Sequence, residues 1–191
     1  MNLETYKIHW CRFSDYHKFC DQLAFYGGCY GLVFNENMPE SYQYPYEFEE
    51  CVYIGESAGH YIDKQHGHNQ RPRSHIHKRM TQHHKPLTTG DNGSESHNRI
   101  IEMYGYGEDM LNGTLTDKPL WLALIVPNPD WHQDGFMKTW VMYEESRQIA
   151  EYIMKWGKTP LGNLDRDSNK DPYSYSSQEL LLNQSLEELF V

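Results

Sequence analysis

CYGLVF (residues 29–34) and VYI (residues 52–54) are short runs of strand-forming residues, close enough in sequence to pair as a hairpin. NENMPESYQYPYEFEE (residues 35–50) joins them and carries two prolines, five acids and four aromatics, a long acidic connection between the two strands. Further along, LWLALIV lies between Pro119 and Pro127. A continuous apolar run of that length, bounded by prolines, is expected to be a strand buried on both faces.

Helices are expected around these strands. Residues 14–24 begin at a capping serine, place Phe19 and Leu23 four apart and stop at Gly27 and Gly28. Residues 55–71 read as loop. Residues 74–84 permit a short polar helix with Ser74 as cap, Ile76 and Met80 inward and Pro86 as its stop. Residues 95–111 suggest another, interrupted by Gly105 and Gly107. The clearest helix is 139–156, with Val141, Glu145, Gln148 and Tyr152 near one stripe, Met142, Ile149 and Ile153 beside it, and Gly157 as its end. A polar connector precedes a last leucine-rich helix over 176–190, where Ser176 and Glu179 form a capping box. The expected fold is α/β of the α+β kind: a small, mostly antiparallel sheet flanked by helices in β-β-α-β-α order over residues 25–165. Residues 1–24 are expected to form a helical extension, and 166–191 a linker with an amphipathic helix.

The 191 residues suit one domain, and 38% apolar and 14% aromatic content is enough for a core. No signal peptide and no run long enough to cross a bilayer stands out, so the sequence reads as soluble, intracellular and cytoplasmic, with no membrane partner. Cys11, Cys20, Cys29 and Cys51 form no CxxC pair and read as buried thiols. A net charge of −10 opposes binding to a polyanion. Residues 64–85 reverse it locally: they hold no acid but carry Lys64, Arg71, Arg73, Lys78, Arg79 and Lys85 among six histidines.

Taken one at a time, the residues that could carry chemistry are ordinary. A tyrosine in a strand usually packs, a helix glutamate is usually solvated, and an asparagine after a helix usually makes a turn. Their order is more informative: GCY (residues 28–30), YIG (residues 53–55), Arg79 with His83 four residues on, Glu145 early in a helix and Asn163 just past it. In that order and on those elements, residues 27–163 resemble the GIY-YIG nuclease family. The chain departs from the family in its longer connection between the tripeptides, its longer run from Gly55 to Arg79, and Cys29 in place of isoleucine. The insertions resemble those of restriction-endonuclease members, where added segments help grip the duplex.

The resemblance implies a metal-dependent DNA endonuclease, a hydrolase of phosphodiester bonds, using Mg²⁺ with Mn²⁺ as a substitute. It implies that Tyr30 activates or positions the water, with Tyr53 as its partner, and that Asn163 supports the loops. Elementary chemistry asks for the same parts: a water that loses its proton, a cation for the developing charge, and help for the departing oxygen. A carboxylate holding Mg²⁺ meets the latter two needs. Glu145 is the candidate and Glu144 its rival, because adjacent helix residues point about 100° apart; Glu145 is preferred because Ile149 follows it as an aliphatic residue follows the family's glutamate. Arg79 suits the scissile phosphate, since a guanidinium matches two phosphate oxygens. His83 shares its helical face and serves as an auxiliary base. Arg71 and Arg73 are alternatives for the clamp and, with Lys78 and Lys85, line the expected path of double-stranded DNA. A restriction role favours a homodimer, because two-fold symmetry suits a palindromic site. Two other classes stand beside this one: a non-catalytic DNA-binding or interaction protein on the same scaffold, and a transition-metal protein using the histidines between His60 and His97.

Overall fold

The computed structural model describes residues 6–20, 27–57, 76–91, 93–127 and 136–164. Along the chain run β1 (Tyr6–Arg12), α1 (Tyr16–Cys20), β2 (Gly28–Phe34), β3 (Cys51–Ser57), α2 (Ile76–Thr89), α3 (Glu95–Tyr104), α4 (Glu108–Asn112), β4 (Leu120–Pro127) and α5 (Phe136–Trp156). The strands form one antiparallel sheet in the order β1-β4-β2-β3, so β2 and β4 are central and β3 is an edge. This is an α+β fold, as expected.

Side chains on a strand alternate between faces, and both central strands are buried on both. Tyr30, Leu32, Phe34, Leu120, Leu122 and Leu124 face one side, where Ile76, Met80, Leu87, Ile100, Met110 and Leu111 from α2, α3 and α4 cover them. Cys29, Val33, Trp121, Ala123 and Ile125 face the other, packed with Tyr152 of α5 and the aromatics Tyr44, Tyr46 and Phe48 of the connection. Each aliphatic side chain removed from water contributes about 1.5–3 kcal/mol, and these two layers together set the core.

The acidic connection lies against the sheet. A 3-10 turn at Pro45–Glu47 tucks Pro45 inside. Indole N–H groups of Trp10 and Trp156 donate to the carbonyls of Gln43 (3.1 Å) and Tyr46 (3.0 Å), and the Tyr152 hydroxyl donates to that of Glu49 (2.6 Å). Its acids pair outward with Lys118 and Lys158. Aromatic residues spaced two apart therefore make an acidic segment a second cover for the core.

Several boundaries differ from the expectation. The N-terminal segment supplies a strand: β1 pairs with β4 along its whole length, from Tyr6 opposite Pro127 to Arg12 opposite Trp121, so the sheet begins well before residue 25. The helix after it begins at Tyr16, following a 3-10 turn at Phe13–Asp15, and is described as far as Cys20; the rest of the segment expected to be helical lies outside the described residues. Pro86 does not stop α2, which runs on to Thr89. A proline removes one helical N–H, and here Thr88 and Thr89 hydroxyls brace the carbonyls of His84 and Lys85 at 2.8–3.0 Å while the Gly90 N–H closes on Pro86. Residues 95–111 divide into α3 and α4, separated at Gly105 and Gly107. On α5 the fully buried stripe is Val141, Glu144, Gln148 and Tyr152; Glu145 is only half-buried, and Met142 and Ile153 are exposed. Gly157, at φ +66°, ends that helix as expected. The Ser74 cap and the helix expected over 176–190 lie outside the described residues.

Cys11, Cys29 and Cys51 are free and buried, and burial pushes the Cys11 thiol up to about 12, so it is unreactive at neutral pH. Among the described residues no helix is long and apolar enough to cross a membrane.

If β1 is integral to the sheet, Trp10→Ala removes a side chain that is 4% exposed and holds the connection. Chemical denaturation is expected to show a loss of about 3–5 kcal/mol; a change within about 0.5 kcal/mol, typical of surface sites, would make the strand an appendage.

Candidate active site

Tyr30 and Tyr53 come together because of an irregularity in the β2–β3 hairpin. Pairing runs Tyr30 with Gly55, Gly31 with Ile54 and Leu32 with Tyr53, then jumps to Val33 with Cys51. Val52 is thus left over as a bulge, and the strand changes phase there. Cys51 faces the α5 side, whereas Tyr53, two residues on, packs on the opposite face with Tyr30 and Leu32. The two phenol rings stack, with centroids 6.0 Å apart and planes 18° from parallel. Gly55 makes room for them, because a Cβ there would stand 2.6 Å from Tyr53 Cε1 and 2.7 Å from Tyr30 Oη.

Helix α2 brings the next two groups. Its buried positions Ile76, Met80, His83 and Leu87 dock it on the sheet, and the same turn carries Arg79 inward. His83 Nε2 lies 2.9 Å from Tyr30 Oη, and His83 Nδ1 lies 2.8 Å from Nε2 of His97 on α3. Tyr53 acts electrostatically on the Tyr30 phenol beside it. Burial, helped by His97 and Arg79, pushes His83 down to about 3, so it is neutral at any ordinary pH. Burial likewise raises Tyr30 well above the usual phenol range, with Tyr53 adding to it and Arg79 opposing. The surroundings therefore hold Tyr30 as a phenol, without the lowered pKa that a base at rest needs.

Helix α5 presents the two rival acids in different states. Glu144 is 3% exposed and committed: Arg147 donates to its two oxygens at 3.0 and 2.7 Å and Gln148 at 3.0 Å. Arg147 in turn lies over Tyr44 and Tyr46, which ties the pair to the connection. Glu145 is half-buried and outside that ion pair, and its charge acts on both tyrosines. Burial first, and the neighbouring Glu56 second, raise its carboxyl to about 7 against the pull of Arg79. Arg79 is the electrostatic centre, because its charge acts on Tyr30, Tyr53, His83 and Glu145 alike. Its Nε and the Oε2 of Glu56 are buried without a hydrogen-bond partner.

Asn163, in a 3-10 turn after α5, holds the free edge of β3. Its Oδ1 accepts from the Ile54 N–H at 2.8 Å and its Nδ2 donates to the Ile54 carbonyl at 2.6 Å. A carboxamide here pairs with the residue between Tyr53 and Gly55 as a neighbouring strand would.

Of the six expected catalytic residues, Tyr30, Tyr53 and His83 are in contact, the charges of Arg79 and Glu145 act on the two tyrosines, and Asn163 braces the strand beneath them. Lys78 and Lys85 stand seven residues apart on the exposed side of α2, away from that cluster. Arg71, Arg73 and the histidines at 60, 66, 68 and 75 lie outside the described residues. Among the described residues no group of three His, Cys, Asp or Glu side chains is placed to hold a metal. Sequence reasoning missed Glu56 and His97. Glu56 directly follows YIG, and His97 stands three residues after Ser94, at the position where a capping-box side chain reaches back.

Compared with models of protein families, with curated proteins and with solved structures, the chain gives no match in any of the three.

Asn163→Asp sets a carboxylate oxygen against the Ile54 carbonyl in place of a donated bond. A loss of about 1–3 kcal/mol in unfolding free energy is expected, with no loss if the amide were only a turn residue. For Glu145, the folded chain keeps the proton to about pH 7 whereas the unfolded chain releases it near 4.5. Its ionisation therefore opposes folding: stability from this group is intact below pH 4.5 and is lost as pH rises through about 7. In EDTA, Glu145→Gln is expected to raise the thermal midpoint at pH 8 and leave it unchanged at pH 4; equal effects at both would remove the burial argument.

Proposed function

We propose that this chain is a divalent-metal-dependent DNA endonuclease of the GIY-YIG type. The observation that carries the reading is Arg79, a guanidinium with a buried, unpartnered Nε set among Tyr30, Tyr53, His83 and Glu145. An unsatisfied buried donor is costly unless something fills it, and a phosphate oxygen is the acceptor a guanidinium suits best.

The residues fit a divalent cation. Mg²⁺ takes one or two carboxylates and completes its shell with water and phosphate oxygens. Glu145 would hold it, with Glu56 beside it, since the two carboxylates repel one another and one Glu56 oxygen is buried without a partner. When bound, the ion supplies positive charge for the developing phosphorane-like centre and the departing oxygen. The chain's own residues do the rest. Arg79 clamps the scissile phosphate. Tyr30 orients the attacking water with its oxygen, Tyr53 stacks on the Tyr30 ring, and Asn163 keeps the YIG strand in place. Lys78 and Lys85 offer positive charge to a duplex along the outer side of α2, a local attraction that the net charge of −10 makes sensitive to salt.

Supercoiled plasmid incubated with Mg²⁺, Mn²⁺ or EDTA tests the reading. Metal-dependent nicked or linear products are expected, falling at least about 10²-fold in Tyr30→Phe and Glu145→Ala, while both variants still retain DNA on a gel. Intact plasmid in every metal and salt, or full cleavage by Glu145→Ala, would refute it.

A further inference from the structure

We infer that His97 is a positioning residue for Tyr30: held by the backbone of Ser94, it orients His83 so that His83 presents an N–H, and not a lone pair, to the Tyr30 oxygen. The inference deepens the nuclease reading and rests on it for its catalytic meaning, but its geometry is independent.

The argument starts from a group with no choice. The backbone N–H of Ser94 can only donate, and it meets His97 Nδ1 at 3.1 Å; the Ser94 hydroxyl stands 2.8 Å from the same nitrogen. Nδ1 of His97 is therefore a lone pair. A neutral imidazole carries one N–H, which must then sit on Nε2. That nitrogen lies 2.8 Å from His83 Nδ1, which accepts it. The single N–H of His83 falls in turn on Nε2, 2.9 Å from Tyr30 Oη. One amide at the start of α3 thus sets the direction of three successive hydrogen bonds.

The chain is built to stay in place. His83 and His97 are 6% and 8% exposed, and their rings stand 5.0 Å apart. Tyr53 packs on His83 at 4.7 Å. Gly93 lets the turn before α3 close on His97, because a Cβ there would stand 2.6 Å from the His97 Cβ. The cationic Arg79 nearby further disfavours a charged His83.

With its lone pair engaged by His97, His83 cannot take the Tyr30 proton. It acts as a fixed donor to the Tyr30 oxygen and, by occupying one lone pair there, sets the direction of the hydroxyl and of the remaining lone pair that meets the water. The Tyr30 proton then points away from His83. His83 is then no auxiliary base, contrary to the role expected from its helical spacing.

Long-range ¹H–¹⁵N correlation of the histidine rings in the full chain at pH 7.5 reads the tautomers directly. Both His83 and His97 are expected as neutral rings protonated on Nε2, assigned with His97→Gln and His83→Gln. An Nδ1-protonated ring at either position overturns the inference. For cleavage, His97→Leu is expected to lower kcat about 10- to 100-fold, as loss of an outer orienting partner does, with KM for DNA unchanged. His97→Gln, whose amide can donate to His83, is expected to restore most of the rate. Unchanged kcat in His97→Leu, or a Gln variant as slow as Leu, also overturns it. A wild-type chain that leaves plasmid intact yet shows both Nε2–H rings would reject the nuclease reading and leave the orienting chain standing.

Discussion

The pairing of β2 with β4 is the contact on which the rest of the molecule depends. It joins segments nearly ninety residues apart, from Cys29 opposite Ile125 to Phe34 opposite Leu120. Each strand has a further partner on its other side, so the backbone groups of both are satisfied within the sheet. That allows both strands to be apolar on both faces. Two apolar faces require two covers, and the chain supplies them separately: α2, α3 and α4 on one side, α5 with the aromatic connection on the other.

The site follows from this arrangement. Tyr30 sits on a central strand, so its hydroxyl is enclosed by the helical layer above it, whereas Tyr53 sits on the edge strand and reaches the same face only through the bulge at Val52. Because α2 crosses that face, Arg79 and His83 arrive together. Because α5 lies against β2 and β3 from the other side, it contributes Glu145 while spending Glu144 on an ion pair that fastens the connection. A free edge beside a functional strand would be soft, and Asn163 closes it.

The cluster is also where the fold is least content. A neutral histidine held near pKa 3, a carboxyl raised to about 7, and buried atoms of Arg79 and Glu56 without partners gather within a few residues of one another. The raised carboxyl and the unpartnered atoms each oppose stability. Proteins keep such features where binding or chemistry needs them.

The amino-acid sequence by itself determined the central strands, the long helix α5 with its glycine stop, and the order of the candidate residues, because alternation, apolar runs and capping residues act over a few neighbours. Even β1 was legible in principle, since Tyr6, Ile8 and Trp10 alternate with Lys7, His9 and Cys11; its charges drew attention away from that period. Only the tertiary structure decided which of two adjacent glutamates is taken up by an ion pair, that Tyr53 changes faces at a bulge, that α2 continues past Pro86, and that His97 stands behind His83. Apart from the threonine hydroxyls that brace the carbonyls of His84 and Lys85 nearby, those outcomes depend on partners far away in the chain: Arg147 lying over Tyr44, a strand register, and a backbone N–H at the start of another helix. Local sequence carries the propensity of an element, but the direction in which a side chain finally points is set by what it meets across the core.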